Sequence, residues 1–356
     1  FLHKMQLNAI RLGNRIFHRI CSSIESISLQ KITHVKWGIP RKSHTIPAVY
    51  PVISGSKTRI LLGSFYFWNI FKKHDDHEET PEDKLIMTIK RSILCVQRGE
   101  HNKAEKMLHL ALRMAQDLQS KDGITYIYDV MANLALEQGD FEKAEKLFVN
   151  VMQRLFGDGF QENHIKMLHI SSKIAHMAGL QGNLAKARQG FEWTLQKLEE
   201  KLRVPGVEEE LRDLRELWGM TKNWYGQTLL ELDKLIEAKQ CFQAAWEIYS
   251  EMYDQVTEDS LMLLNNLGVV CMRLGEVSIA EEHLRKAIEL SKEIPDFVEA
   301  NVFRANLGLV YLQQGLLQKA TDICSLSWRL SKKVGNEHAL EQANYCLEQI
   351  RQSKKA

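Results

Sequence analysis

Through residues 85–335, apolar positions return every three or four residues, the spacing of one helix face. A turn of fixed design cuts this pattern at near-regular intervals. A glycine closes one periodic segment, and an alanine follows five residues later inside the next. The blocks are RGEHNKAEKML from Arg98, QGDFEKAEKLF from Gln138, QGNLAKARQGF from Gln181, LDKLIEAKQCF from Leu232, LGEVSIAEEHL from Leu274 and QGLLQKATDIC from Gln314. Their turn residues, Gly99, Gly139, Gly182, Asp233, Gly275 and Gly315, stand 40, 43, 51, 42 and 40 residues apart. Six copies at such a period predict an all-α solenoid of stacked helix pairs.

Each repeated position has a physical reason. The glycine ends a helix, where a positive φ is often needed, and Asp233 is among the residues that tolerate it. The alanines, Ala104, Ala144, Ala187, Ala238, Ala280 and Ala320, mark a close helix crossing. Seven residues before each turn stands another small residue: Ser92, Ala132, Ala175, Gly226, Gly268 or Gly308. Four residues past each alanine comes an apolar one, Leu108, Phe148, Phe191, Phe242, Leu284 or Cys324, which fills the space beside that crossing. Between the third and fourth copies, LEEKLRVPGVEEELRDLRELWG adds length. Pro205 and Gly206 break the helix there, and Glu208 to Trp218 predicts the start of another. Glu337 to Gln352 predicts a capping helix over the last apolar face.

The segments NNLGVVCMRLGEVSIAEEHLRKAIEL and ANLGLVYLQQGLLQKA resemble the tetratricopeptide repeat family in their small-residue and alanine positions. The expected fold is therefore a tetratricopeptide-type helical solenoid of about six helix pairs with a C-terminal capping helix, over residues 81–356. These copies exceed the family's usual period. Residues 124–148, ITYIYDVMANLALEQGDFEKAEKLF, are similar to the corresponding repeat of one mitochondrial branch of the family. That resemblance implies an inner-membrane protein facing the matrix. It implies binding to respiratory complex III and support of its assembly, or of clearance of fragments of its Rieske iron–sulfur subunit. The rival expectation is a cytosolic adaptor of the motor-cargo or polarity type.

Charge divides the chain and bears on that choice. Residues 1–73 hold twelve Lys/Arg against one acid, Glu25, while the remainder is acidic overall, with 35 basic and 44 acidic residues. An acidic body argues against nucleic-acid partners. In the leader, residues 1–50, Arg11, Arg15 and Arg19 share one helix face opposite Ile10, Ile16, Phe17, Ile20 and Ile24. That amphipathic, acid-free pattern predicts a mitochondrial transit peptide. In residues 51–80, the run Ile60 to Phe71 carries no charge and is flanked by Lys57, Arg59, Lys72 and Lys73. Its Phe65, Tyr66, Phe67 and Trp68 suit a membrane contact at residues 60–71, followed by a charged linker.

Little catalytic chemistry is legible. There is no P-loop, GxGxxG or GxSxG in a suitable context, and His77-Glu78 lacks the second histidine of HExxH. A metal-dependent hydrolase would have to rest on His74 and His77 in the charged linker, so a non-enzymatic scaffold is expected, with no cofactor, metal or small-molecule substrate. The six cysteines, widely spaced and without CxxC, predict reduced, mostly buried thiols. By register, the first helices place Tyr126, Asp129, Asn133, Ser172, His176, Asn223, Gln227 and Asn265 on one partner groove, polar and largely uncharged. Ile89 and Ile93 occupy places where the carboxylate-clamp class of these repeats uses lysine and asparagine, against a clamp for a terminal carboxylate.

Overall fold

A computed structural model describes residues 80–295 and 297–354. The transit-peptide leader and the aromatic segment around Phe65, Tyr66, Phe67 and Trp68 lie outside the described residues. Among the described residues there are thirteen α-helices and one short 3-10 helix. They follow as pairs: α1 (Pro81–Gln97) with α2 (His101–Asp117), α3 (Lys121–Glu137) with α4 (Phe141–Gly157), and α5 (Ile165–Leu180) with α6 (Leu184–Leu202). Then come α7 (Glu208–Glu231) with α8 (Leu235–Met252), α9 (Glu258–Arg273) with α10 (Val277–Leu290), and α11 (Ala300–Gln313) with α12 (Leu317–Val334). The last helix, α13 (Glu337–Ser353), stands alone. Each helix packs chiefly on its neighbours in sequence, as a solenoid requires.

The ends of the helices follow from short polar signals. Thr80 and Asp83 form a capping box at α1, and Asp140, Asn183 and Asn336 accept first-turn amides at α4, α6 and α13. At the Gly139 turn, Gly139 N–H bonds to Leu136 O at 3.1 Å and Asp140 N–H to Ala135 O at 2.9 Å. The same pair of bonds recurs at all six turns. This closure needs a left-handed residue, and the five glycines have φ of 73–78°. Asp233 adopts φ 58° in the same role, and its carboxylate accepts a hydrogen bond from Arg273 Nη2 at 2.9 Å.

Within the pairs the repeated small residues do what their pattern predicts. All six repeat alanines are 0% exposed, as are Leu108, Phe148, Phe191, Phe242, Leu284 and Cys324 four positions on. The fourth to sixth pairs have glycine at the crossing and no room for more. A Cβ at Gly226 would lie 2.6 Å from Phe242 Cε1, and one at Gly268 would lie 2.5 Å from Leu284 Cγ.

One expectation holds and one changes. A helix does start at Glu208: α7 runs on from there for 24 residues, so the insertion lengthens the first helix of the fourth pair. Pro205 and Gly206 do break the chain, leaving Val204 and Val207 exposed between α6 and α7. The thiols, however, are not all reduced. Cys324 and Cys346 form a disulfide, while Cys95, Cys241 and Cys271 are free and buried. The pairing arises because α13 folds back on α12 directly over Gly308, where a side chain would meet both sulfurs. Burial pushes the Cys241 thiol up to about 11 and the Cys271 thiol up to about 12, so both are protonated at neutral pH.

The cap helix completes the apolar seam. α13 buries Ala339, Ala343, Cys346 and Ile350 and turns Glu337, Glu341, Asn344 and Glu348 to solvent.

Candidate functional site

The groove residues read from register sit on α3, α5, α7 and α9, the first helices of their pairs. Their surroundings differ sharply along the solenoid. On α3, Asn133 is almost buried and donates to Asp129 O at 2.7 Å and to Asp129 Oδ2 at 3.2 Å. The other oxygen of Asp129 faces Lys173 Nζ of α5 at 3.4 Å. Lys173 is 4% exposed and lies 5.6 Å from the centroid of Phe148, so a buried ion pair joins these two helices. Tyr126 is buried nearby, and desolvation pushes its hydroxyl well above the ordinary tyrosine range.

On α5, Ser172 is wholly buried, 2.7 Å from Thr221 Oγ1 of α7. Thr221 donates its own proton to Leu217 O, so Ser172 is the donor of the shared bond. His176 stacks on Trp224 of α7, with ring centroids 4.4 Å apart and planes 11° from parallel. Burial lowers its pKa to about 4, which keeps the imidazole neutral at physiological pH.

The amides of the later first helices form a continuous relay. Gln342 Nε2 of α13 donates to Asn306 Oδ1 at 2.8 Å, and Asn306 Nδ2 of α11 donates to Asn265 Oδ1 at 2.8 Å. Asn265 Nδ2 then reaches Asn266 Oδ1 at 3.5 Å, and Asn266 Nδ2 of α9 donates to Asn223 Oδ1 of α7 at 3.2 Å. Asn265, Asn266 and Asn306 are each 0% exposed. Every residue of α9 from Ser260 to Met272 is buried, and on α11 only Arg304 interrupts the buried run from Ala300 to Tyr311.

Placement therefore corrects the groove reading at four positions: Tyr126 and Asn133 are buried, and Ser172 and Asn265 have no exposure at all. Ser172 and Asn265 are internal and spend their polar atoms on neighbouring helices, because stacking brings successive first helices together on that side. Asp129, His176, Asn223 and Gln227 remain partly exposed. His176 stacks on Trp224, which register did not single out, although an aromatic beside Asn223 and two turns before Glu231 was a visible signal. Arg304 was also missed. Its guanidinium donates to Asn301 Oδ1 at 2.9 Å, and desolvation lowers its pKa.

Among the described residues, no group of three or more His, Cys, Asp or Glu could hold a metal ion, and no helix is long and apolar enough to cross a membrane. His74 and His77 lie outside the described residues.

Comparison with known proteins agrees with this architecture. The family model described as tetratricopeptide repeat matches residues 260–294, which span most of α9 and all of α10. The chain is 48% identical over 318 residues to the Drosophila melanogaster protein named tetratricopeptide repeat protein 19 homolog, mitochondrial, covering 89% of this chain and 83% of that one. Against the Homo sapiens tetratricopeptide repeat protein 19, mitochondrial, identity is 27% over 274 residues, covering 75% and 72% of the two chains. Among solved structures, BtubC (BKLC) from P. vanneervenii has a TM-score of 0.53 at 21% identity, covering 71% of this chain and 92% of that one. A Rap protein complexed with competence and sporulation factor has a TM-score of 0.56 at 15% identity, covering 80% and 77%. These structural likenesses concern the fold. The mitochondrial names of both relatives weigh against the cytosolic-adaptor expectation.

Proposed function

Since the chain belongs to the family of mitochondrial tetratricopeptide repeat protein 19, we propose that this mitochondrial repeat protein is a non-enzymatic scaffold that binds respiratory complex III. It acts at the matrix side of the inner membrane. There it supports assembly of the complex or clearance of fragments of its Rieske iron–sulfur subunit, and residues 60–71 supply membrane contact.

One observation carries the choice of surface. The first-helix face is sealed along α9 and most of α11, but open between α3 and α7. There Asp129, His176, Asn223 and Gln227 are partly exposed, and His176 stacks on Trp224 of the helix that carries Asn223 and Gln227. A neutral imidazole, two amides and an aromatic face suit an extended protein segment, which needs donors and acceptors for its backbone and an apolar surface for a side chain. Lys173 is already neutralised by Asp129, so the site does not select for a free carboxylate.

The test is affinity purification of the tagged full chain from mitochondria, read by mass spectrometry. Complex III subunits, with the Rieske subunit among them, are the expected co-purifying proteins. Gln227→Arg together with His176→Ala lowers their recovery while the helical circular dichroism is kept. Lys146→Ala, on the exposed outer side of α4, leaves recovery unchanged. Normal recovery with the double variant overturns the groove assignment. Failure of the unaltered protein to retain complex III overturns the partner.

A further inference from the structure

Among the described residues, the two ends of the solenoid differ. At the C-terminal end, α13 covers the last pair with a polar outer surface. At the N-terminal end, no described helix precedes α1. α1 buries Leu85, Ile89, Ser92, Cys95 and Val96 against the rest of the molecule. On its opposite side, Met87 and Leu94 are 40% and 43% exposed. Seven residues apart, they stand one above the other on the same face. Lys84, Lys90, Arg91 and Arg98 flank them, all exposed. The one acid on that side, Asp83, is engaged in the helix cap, where its Oδ2 accepts from Thr80 N at 3.0 Å and Thr80 Oγ1 at 2.7 Å. Two apolar side chains inside a ring of four cations therefore form a stripe along α1.

The chain itself indicates what this stripe meets. The uncharged, aromatic run Ile60 to Phe71 ends nine residues before Thr80. A connection of that length reaches at most about 30 Å, slightly more than the roughly 25 Å length of a 17-residue helix. Any surface that holds residues 60–71 thus lies within reach of the whole of α1. We propose that the outer face of α1, through Met87, Leu94, Lys84, Arg91 and Arg98, docks on an anionic phospholipid surface. The choice of lipid over an acidic protein rests on reading residues 60–71 as a membrane contact. The chemistry is that of an interfacial helix: apolar side chains enter the headgroup boundary while the cations meet lipid phosphates. The contact sets the solenoid with its N-terminal end on the membrane, leaving the α3–α7 face to one side for a partner.

The experiment uses the full chain with Cys21→Ser and Met87→Cys, labelled at the introduced thiol with an environment-sensitive fluorophore. The other cysteines are buried or paired and do not compete. Vesicles are phosphatidylcholine alone, or phosphatidylcholine and phosphatidylglycerol in equal parts. The label shifts to an apolar signal, and is quenched by nitroxide lipid, on the anionic vesicles only. Raised salt reverses the change. Arg91→Gln with Arg98→Gln weakens the response roughly 30-fold, as expected for about 1 kcal/mol per basic residue near the surface. A second label at Asn344→Cys, on the outer face of α13, stays silent. The proposal is overturned by a silent label at Met87→Cys, by an equal response on neutral vesicles, or by no effect of the arginine pair. It is also overturned if the label is already shielded without vesicles and becomes exposed on deletion of residues 60–71, which would mean that this segment covers α1. A response that tracks protein concentration without lipid assigns the face to self-association and overturns it too. Flotation that survives deletion of residues 60–71, with the label still responding, overturns the anchor role of that segment alone. Flotation of the unaltered chain with a silent label overturns this proposal alone.

Discussion

Replacing a helical glycine by alanine ordinarily stabilises a helix by about 1 kcal/mol, so the sign of the effect at Gly268 is a direct probe of the α9–α10 crossing. A methyl group there would sit 2.5 Å from Leu284 Cγ, 2.9 Å from Cδ2 and 3.2 Å from Cδ1. Leu284 is 0% exposed and is bracketed on α10 by the buried Ala280 and Ala287, so it has nowhere to turn. Overpacking of this kind costs about 1–3 kcal/mol, and a contact this short with an immobile neighbour belongs at the upper end. Subtracting the propensity gain leaves Gly268→Ala destabilised by about 2 kcal/mol. Gly157, at the end of α4, is the matched control: it is helical, and a Cβ there meets nothing within 4 Å. Gly157→Ala should be neutral or gain up to about 1 kcal/mol. Urea unfolding of the full chain, followed by circular dichroism at 222 nm and by hydrogen exchange in α9 and α10, gives both values. Because repeat arrays lose cooperativity, the exchange data decide where the loss falls. If both variants move the same way, the helices do not cross as closely as described.

Three further expectations can be measured. His176 has a folded pKa near 4 against an ordinary value of 6.5, so the unfolded chain binds the extra proton first; its contribution is whole above pH 6.5 and fades as pH falls toward 4. Up to about 3 kcal/mol is lost across that window, less for the partly exposed edge of the ring, and His176→Phe flattens the dependence in pH-resolved urea titrations. Asn306→Ala breaks two rungs of the amide relay and should cost about 2–4 kcal/mol, with faster hydrogen exchange in α9 and α13; exchange confined to α11 would refute the coupling. For the disulfide, alkylation in denaturant before reduction should leave Cys324 and Cys346 unlabelled, and Cys346→Ala should lower stability by about 3 kcal/mol for a loop spanning 22 residues. Full labelling of both sulfurs in protein purified without reductant would exclude the bond.

The solenoid was legible because its determinants are local. Gly139, Ala144 and Phe148 occupy fixed offsets, and the turn, the close crossing and the filled gap each involve residues near in sequence. Even the odd member, Asp233, follows from backbone sterics. What escaped the sequence depends on how one pair stacks on the next. Asn265 and Gln227 look equivalent as polar residues on first helices, yet one is wholly internal and the other partly exposed. The difference is set by the approach of α11 to α9, which no local pattern encodes. The disulfide escaped for a similar reason, since it needs α13 folded across Gly308 before the two sulfurs meet. By contrast, the helix that starts at Glu208 was legible, since Pro205 and Gly206 break the chain just before it; only its length of 24 residues was not.

The amide relay from Gln342 to Asn223 has a consequence for how this molecule can change over time. Repeat proteins are commonly pictured as beads that can be duplicated, deleted or exchanged one at a time. Here each rung presents a donor toward the preceding pair and an acceptor toward the next, and three of its residues have no water to fall back on. Excising the α9–α10 pair would bring Asn306 against helix α7, whose only amide in the relay, Asn223, sits at a different depth and is partly exposed. Inserting a foreign repeat would strand an acceptor on one side and a donor on the other. Removal or exchange of a single pair between α7 and α13 should therefore destabilise the chain more than the same change at the junctions before it.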